Sequence, residues 1–409
     1  MLIRNIFTLL IFILLVFLST YIAKKLIKKN FLISLPVGFA ILLTVEACFL
    51  NFLSLFYLVS FTPILILNIV YVIVVIKYIT NNNELKSYLK EIKKSFIYTF
   101  KNPYFLLCIP ILAIILFSAL VYAPNNWDSM TYHMGRVIHW IQNHSVNYYE
   151  TNIKRQILFP PGAEYLILIM QLLSGGDYLA ALIQYFSFFI LIISLPRVLR
   201  SIGFKKYSNL IYILVTSIPM CILQASSTQN DLVSAVMMCS VFIIILDIIV
   251  FPKQQNLDIG KIIALGICLN AAYLVKPTGL FVLFPFAIWT LIILISQLIK
   301  NKDTIKKYLL WASLFIVISL IISGPETYRR FNYLGSDWTT MSSKYGIGGV
   351  YEKGSDKKVR LLNSVENLSF HKLPYINNFI PSNPENITAV FNYQEDFVGN
   401  GIHLQLIIL

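Results

Sequence analysis

Long apolar blocks, one after another, constrain this chain more than any other feature. Runs of about 17 to 24 residues have the length that carries a helix across a bilayer, where the backbone has to satisfy its own polar groups. Candidate spans are Ile6–Ala23, Phe31–Asn51, Leu53–Val75, Tyr104–Val121, Tyr178–Leu195, Asn209–Leu223, Leu232–Phe251, Ile262–Leu274, Leu280–Leu298 and Tyr308–Ile322. A last apolar run begins near Ile402 and is expected to continue into a further span beyond Leu409. With 57% of its residues hydrophobic and 13% charged, and a mean hydropathy of +0.72, the chain reads as an all-α, polytopic transmembrane protein. Met1–Tyr21 resembles a signal peptide in apolarity, but Lys24, Lys25, Lys28 and Lys29 follow the run instead of preceding it, so it reads as a retained first helix.

The net charge of +14 is carried mostly by lysines in short loops, which points to membrane topology and away from nucleic acid. Basic groups follow the first span and recur at Lys77–Lys101, Arg197–Lys206, Lys253 and Lys261, and Lys300–Lys307. All of these fall on one, cytoplasmic face only if Gly162–Leu173 does not cross. That segment is short, follows Pro160-Pro161 and carries Glu164 and Gln171, so a helix lying on or dipping into the membrane surface is expected. The loop Tyr122–Pro161, the turn at Thr228–Asp231, the turn Lys276–Gly279 and the stretch Ser323–Gly401 then share the non-cytoplasmic face. The chain divides into a three-span N-terminal extension with its cytoplasmic loop (1–101), a core (102–323) with outer loop 122–161, an extracytoplasmic loop (324–401) and the start of a further span (402–409). Cys48, Cys108, Cys221, Cys239 and Cys268 lie far apart inside apolar segments and read as small hydrophobes.

Polar residues crowd into Asn126-Trp127-Asp128-Ser129-Met130-Thr131-Tyr132-His133-Met134-Gly135-Arg136. At a membrane boundary such a cluster costs desolvation unless it has a function. In α-helical register Asp128, Tyr132 and Arg136 share a stripe with His133 beside it. A carboxylate at 128 suits a general base, and the guanidinium fork of Arg136 suits a phosphate. The blander alternative makes Asp128 a helix cap and Arg136 a snorkelling anchor, with His133 a structural hydrogen bonder. Lys154 and Arg155, and separately Lys276, are positive charges on the face that the topology rule leaves poor in them, which makes Arg155 and Lys276 candidate phosphate contacts. Asp231 is either a second acidic group facing the first or an N-cap. Glu46 within the second span is left open, and Asp247 reads as an interfacial charge. Pro325–Arg330 either clamps a headgroup or anchors a helix end, and the remainder to Asp396 is expected to close over the site. No Gly-rich nucleotide loop, nucleophile elbow or metal-ligand spacing occurs.

Taken in order, Asn126-Trp127-Asp128, Tyr132-His133, Arg136, Arg155, Pro160–Tyr165, Gln229-Asn230-Asp231 and Lys276-Pro277-Thr278-Gly279 resemble the GT-C superfamily of membrane glycosyltransferases that use polyprenyl-phosphate sugars. The likeness covers roughly Tyr104 to Pro325, and it is similar to the bacterial relatives of protein O-mannosyltransferases and of lipid A aminoarabinose transferase. The resemblance implies a GT-C-like fold, a large first catalytic outer loop containing surface helices, and reaction on the outer side of a bacterial inner or plasma membrane. It implies Asp128 as the group that activates or positions the acceptor, Asp231 as the second acidic position, and Arg155 and Lys276 at the donor phosphate. His133 joins the catalytic candidates, and Arg136 and Tyr132 the substrate-binding ones. The partners so implied are a polyprenyl-phosphate sugar donor, a lipid, glycan or protein acceptor, and membrane lipids, with no nucleic acid. Many relatives carry two adjacent acidic residues where this chain has Asp128-Ser129, so a divalent metal is an open cofactor and no metal ligand is assigned. A transporter or flippase of lipid-linked sugars, or an oligosaccharide ligase or polymerase, is the alternative.

Overall fold

A computed structural model describes residues 2–79, 83–124, 126–250, 258–300 and 305–334. The expected outer loop beyond Leu334, its closure over the site and the run from Ile402 lie outside the described residues, as do Asn125, Lys253 and Lys302. The described residues form helices and no strand. In chain order these are α1 (Leu2–Ile27), α2 (Phe31–Ser54), α3 (Phe61–Ile79), α4 (Asn83–Phe100), α5 (Pro103–Val121), a π-helical turn at Ser129–His133, α6 (Met134–Asn143), α7 (Arg155–Leu158) and α8 (Gly162–Ser174). Then follow α9 (Leu182–Ser201), α10 (Leu210–Ser217), α11 (Pro219–Ala225), α12 (Asp231–Val250), α13 (Ile259–Val275), α14 (Leu280–Lys300), α15 (Ile305–Ile322) and α16 (Gly324–Leu334).

Among the described residues six helices are long and apolar enough to cross a membrane, or seven if Tyr308–Ile322 and Gly324–Tyr333, bent by 59°, count as one broken span. The composition and these lengths make the chain compatible with an integral membrane protein. Each of the ten expected spans overlaps a helix, but Asn209–Leu223, Leu232–Phe251 and Ile262–Leu274 are not among the six, Tyr308–Ile322 counts only with α16, and three differ in form. The third begins at Phe61 instead of Leu53, because α2 runs on to Ser54. The sixth breaks into α10 and α11 at Pro219, whose ring cannot continue the preceding turn. The eighth, α13, has 17 residues.

α2 stands at the centre of the packing, against α1, α8, α9, α12 and α13. Its approach to α1 is close enough that a Cβ on Gly38 would lie 2.5 Å from the Cα of Thr20, the small-residue contact by which membrane helices gain van der Waals energy. Residues 1–101 come first along the chain, but they supply the central helix of the core. At one end of the bundle, lysines in the last turns of α1 and just after it meet acids from later elements. Lys24 pairs with Glu91, Lys25 with Glu84 at 2.7 Å, and Lys28 with Asp258. Asp247, expected as an interfacial charge, bridges Lys29 at 2.7 Å and Lys261 at 2.9 Å. The amphipathic α4 is tied to α1 by two of these pairs.

α8 is more enclosed than a helix lying on a membrane surface alone would be, since every residue from Gly162 to Ser174 is buried. The reason is its nearly uniform apolarity: a helix hydrophobic all round belongs in a core. Thirteen residues reach about 20 Å, short of the roughly 30 Å of hydrocarbon. Both of its ends also lie at the bundle end opposite the lysines. Gly162 abuts Leu274 and Val275 in the last turn of α13, and the carbonyls of Leu172 and Leu173 accept from Arg4 at the start of α1, at 2.8 and 2.7 Å.

Candidate functional site

The polar loop after α5 is started by Asn126, whose Oδ1 accepts from the Ser129 amide at 2.8 Å. That bond takes the capping role, so the carboxylate of Asp128 is left free for other partners. It faces Arg155 of α7, with Nη1 3.6 Å from Oδ1 and the two side chains 37% and 33% exposed. The Tyr132 phenol lies within electrostatic reach of the same carboxylate. Burial pushes this phenol above its ordinary range, and the neighbouring Asp128 charge pushes it further in the same direction. Tyr132 is therefore a neutral phenol beside the carboxylate.

Arg136 does not continue the stripe. The π-helical turn at Ser129–His133 widens the local repeat, and His133 and Arg136 both turn into the protein. Glu164 Oε1 lies 2.9 Å from His133 Nδ1 and 3.1 Å from Arg136 Nη1, with all three side chains almost fully buried. The rest of the guanidinium donates to backbone. Nε reaches the Gln156 carbonyl, Nη2 reaches those of Arg155 at 3.0 Å and Phe159 at 2.7 Å, and Nη1 reaches Pro160 at 3.3 Å. Arg136 thus binds the loop that carries Arg155, with its donors already occupied. For Glu164, burial alone would raise the carboxyl, but Arg136 and His133 outweigh it and hold the group below the usual carboxylate range.

Asp231 opens α12, yet it does not cap it. The amides of Leu232 and Val233 donate to Gln184 Oε1 of α9 at 3.0 and 3.1 Å. Asp231 Oδ1 instead accepts from Lys276 Nζ at 2.6 Å, with the side chains 43% and 42% exposed. Lys276 sits in extended backbone between α13 and the turn Pro277–Gly279, where the helix breaks. Short links join the two carboxylate–cation pairs. The Thr228 amide donates to Ser129 Oγ at 3.3 Å, Gln229 Nε2 to Asn126 Oδ1 at 3.4 Å, and Asn230 Nδ2 to the Val275 carbonyl at 3.4 Å. Asp128, Arg155, Tyr132, Asp231 and Lys276 are brought to one end of the bundle. His133 and Arg136 form the buried layer behind the first pair.

α16 closes one side. Arg329 donates to Asn51 Oδ1 at 2.7 Å, to the Tyr165 hydroxyl at 2.9 Å and to Glu326 at 3.1 Å, and Arg330 donates to the Leu158 carbonyl at 2.8 Å. Glu326 also accepts from the Tyr148 hydroxyl at 2.6 Å. Pro325–Arg330 is therefore anchored inward through both arginines. On the Met130–Met134–Ile138 side of α6 lies a groove of about 920 Å³, with Arg4, His139 and Gln171 among apolar walls.

A divalent metal does not fit what is present. Among the described residues no three His, Cys, Asp or Glu side chains gather as a ligand set, and both site aspartates face cations. The five cysteines are all free. Sequence reasoning missed Glu164, Gln184 and Asn126 as organisers of the site. The available signal was a carboxylate and an amide inside segments otherwise apolar. No family model matches the chain, and neither the curated proteins nor the solved structures contain a match to it.

Proposed function

We propose that the protein transfers a sugar from a polyprenyl-phosphate donor to an acceptor hydroxyl, on lipid, glycan or protein, at the extracytoplasmic side of a bacterial membrane. The observation that carries this reading is the pairing of Asp128 with Arg155 and of Asp231 with Lys276, both part-exposed, at one end of an apolar helical bundle. Neither aspartate has a capping duty to explain it. A phosphate is a stronger partner for Arg155 and Lys276 than a single carboxylate, through its several charged acceptor oxygens. Its arrival would draw the cations off and leave Asp128 to accept the proton of the acceptor hydroxyl. The acceptor oxygen then bonds to the anomeric carbon as the carbon–oxygen bond to phosphate breaks, and the leaving phosphate takes the electron pair. Arg155 and Lys276 stabilise the charge that develops there. Asp231 keeps Lys276 oriented, the neutral Tyr132 phenol lies beside the Asp128 carboxylate, and the groove beside α6 gives room for an amphipathic substrate. No step runs through a metal.

A second reading, transport or flipping of such lipids, is favoured by one feature, the carboxyl of Glu46 buried within α2. Release of labelled sugar from a panel of polyprenyl-phosphate sugars, by the protein in lipid, separates the two. Turnover lost in Asp128→Asn with donor binding retained supports transfer. Donor binding with translocation and no turnover in the unaltered protein supports transport.

A further inference from the structure

α4 runs past α1, α2 and α9 toward their lysine- and arginine-bearing ends. Glu84 pairs with Lys25 of α1, and Glu91 pairs with Lys24 and accepts from the Phe31 amide at the start of α2, at 2.8 Å. Tyr98 meets α9, where the Arg197 guanidinium carbon lies 3.7 Å from its ring centroid. The inner face of α4 is apolar. Tyr88 is buried and donates to the Phe17 carbonyl at 2.7 Å, and Ile92 and Phe96 pack against the core beside it.

The outward face is sorted by charge. Helical geometry sets Lys86, Lys90, Lys93 and Lys94 in one arc of about 100°, with Lys86, Lys90 and Lys94 at successive i, i+4 positions. All of them are exposed, as is Lys101 just past the helix end. Leu89 and Phe100 border the arc and Ile97 lies within it, and these apolar side chains are exposed too. The acids of α4, Glu84 and Glu91, stand on the other flank against α1. Among the described residues no carboxylate pairs with any lysine of the arc. The strip is not neutralised where it reaches α9 either, since Tyr98 meets there only Arg197 and Arg200.

Like charges at i, i+4 repel one another, so such a face is stabilised by an outside anion. A topology signal needs lysines in the loop, but it does not require the acids to be withdrawn from their face. A lysine strip edged by exposed apolar side chains matches a membrane surface. There the apolar edge enters the acyl boundary and the ammonium groups reach lipid phosphates on their flexible stems. We infer that α4 is an interfacial helix whose lysine face binds the headgroup phosphates of anionic phospholipids, in the leaflet at the lysine-rich end of the bundle. This surface lies at the opposite end from Asp128 and Arg155 and owes nothing to the sugar-transfer reading.

Spin-labelled phosphatidylglycerol and spin-labelled phosphatidylcholine, each added to the full protein in phosphatidylcholine bilayers, test this. The motionally restricted lipid should favour phosphatidylglycerol. Lys86→Gln, Lys90→Gln, Lys93→Gln and Lys94→Gln together should lower that preference by about fivefold or more, the factor for one lysine at an anionic surface. Arginine at the same positions should keep it. No preference in the unaltered protein, a preference that the glutamines leave unchanged, or one that arginine abolishes overturns the proposal. If the glutamine variant does not fold, amide hydrogen exchange of the unaltered protein replaces it. Slowing confined to residues 84–100 in bilayers containing phosphatidylglycerol, relative to pure phosphatidylcholine, is expected. Equal exchange in both lipids, or slowing spread equally over residues 126–143, overturns the proposal.

Discussion

Lys276 Nζ lies 2.6 Å from Asp231 Oδ1 across 45 residues of chain, joining the end of one helix to the beginning of another. The contact is possible because Gln184 takes over the capping of α12 and because α13 breaks at Lys276. It converts two isolated charges into a paired unit that an anionic substrate can open.

Lys276→Ala should therefore weaken donor binding strongly while leaving the fold intact. Both partners are more than 40% exposed, and such pairs contribute about 0–1 kcal/mol to stability. Exchanging the two, Asp231→Lys with Lys276→Asp, should restore the ion pair without restoring affinity for polyprenyl phosphate. Titration calorimetry and thermal unfolding on the same samples check both halves. Recovery of binding in the exchanged protein would mark the pair as purely structural.

Glu164 makes the opposite prediction, because its pair is buried. Removing Arg136 with Arg136→Ala should cost about 3–5 kcal/mol, the usual penalty for orphaning a buried charge. The held-down carboxyl of Glu164 also ties stability to pH. Its contribution is fully present above the unfolded carboxylate pKa and is lost as pH falls through the lower folded value. Unfolding in lipid followed from neutral to acid pH should show that loss, and Glu164→Gln should flatten the same acidic window while lowering stability at neutral pH.

Tyr132 tests the geometry at Asp128. The phenol is buried beside the Asp128 carboxylate, so Tyr132→Phe should lower kcat by about 10-fold, equivalent to about 1.4 kcal/mol on the barrier. The phenol is held neutral by burial and by Asp128, so any alkaline limb of the pH–rate profile should persist in the variant. Disappearance of that limb would reassign the titrating group to Tyr132.

Gly162 tests how α8 holds the site together. A Cβ there would meet the backbone carbon and oxygen of Leu274 and Cγ2 of Val275, all at 2.8 Å, and a side-chain rotation cannot relieve the clash with backbone. Gly162→Ala should destabilise by about 1–3 kcal/mol through overpacking. It should also reduce turnover, since the same contact sets Lys276 relative to Arg155. Unfolding and turnover measured together check whether the two losses coincide.

Run length and hydropathy in the sequence determined the helical class of this protein, because a bilayer admits few other solutions for such apolar blocks. The gathering of Asp128, Arg155, Asp231 and Lys276 at one end was also legible, since lysine placement and helix parity assign loops to faces. Which of these groups are free to meet a ligand was decided only by tertiary structure. Asp128 and Asp231 both looked like caps, and it took Asn126 and Gln184, neither adjacent in the obvious pattern, to release them. Arg136 looked like a phosphate ligand at a helical spacing, but a π-helical turn rotated it onto Glu164 and four carbonyls. α8 looked interfacial by its length and is buried by its neighbours. Periodicity reports what one helix can offer; the partner of each polar atom depends on residues from other helices, and local sequence carries no record of that choice.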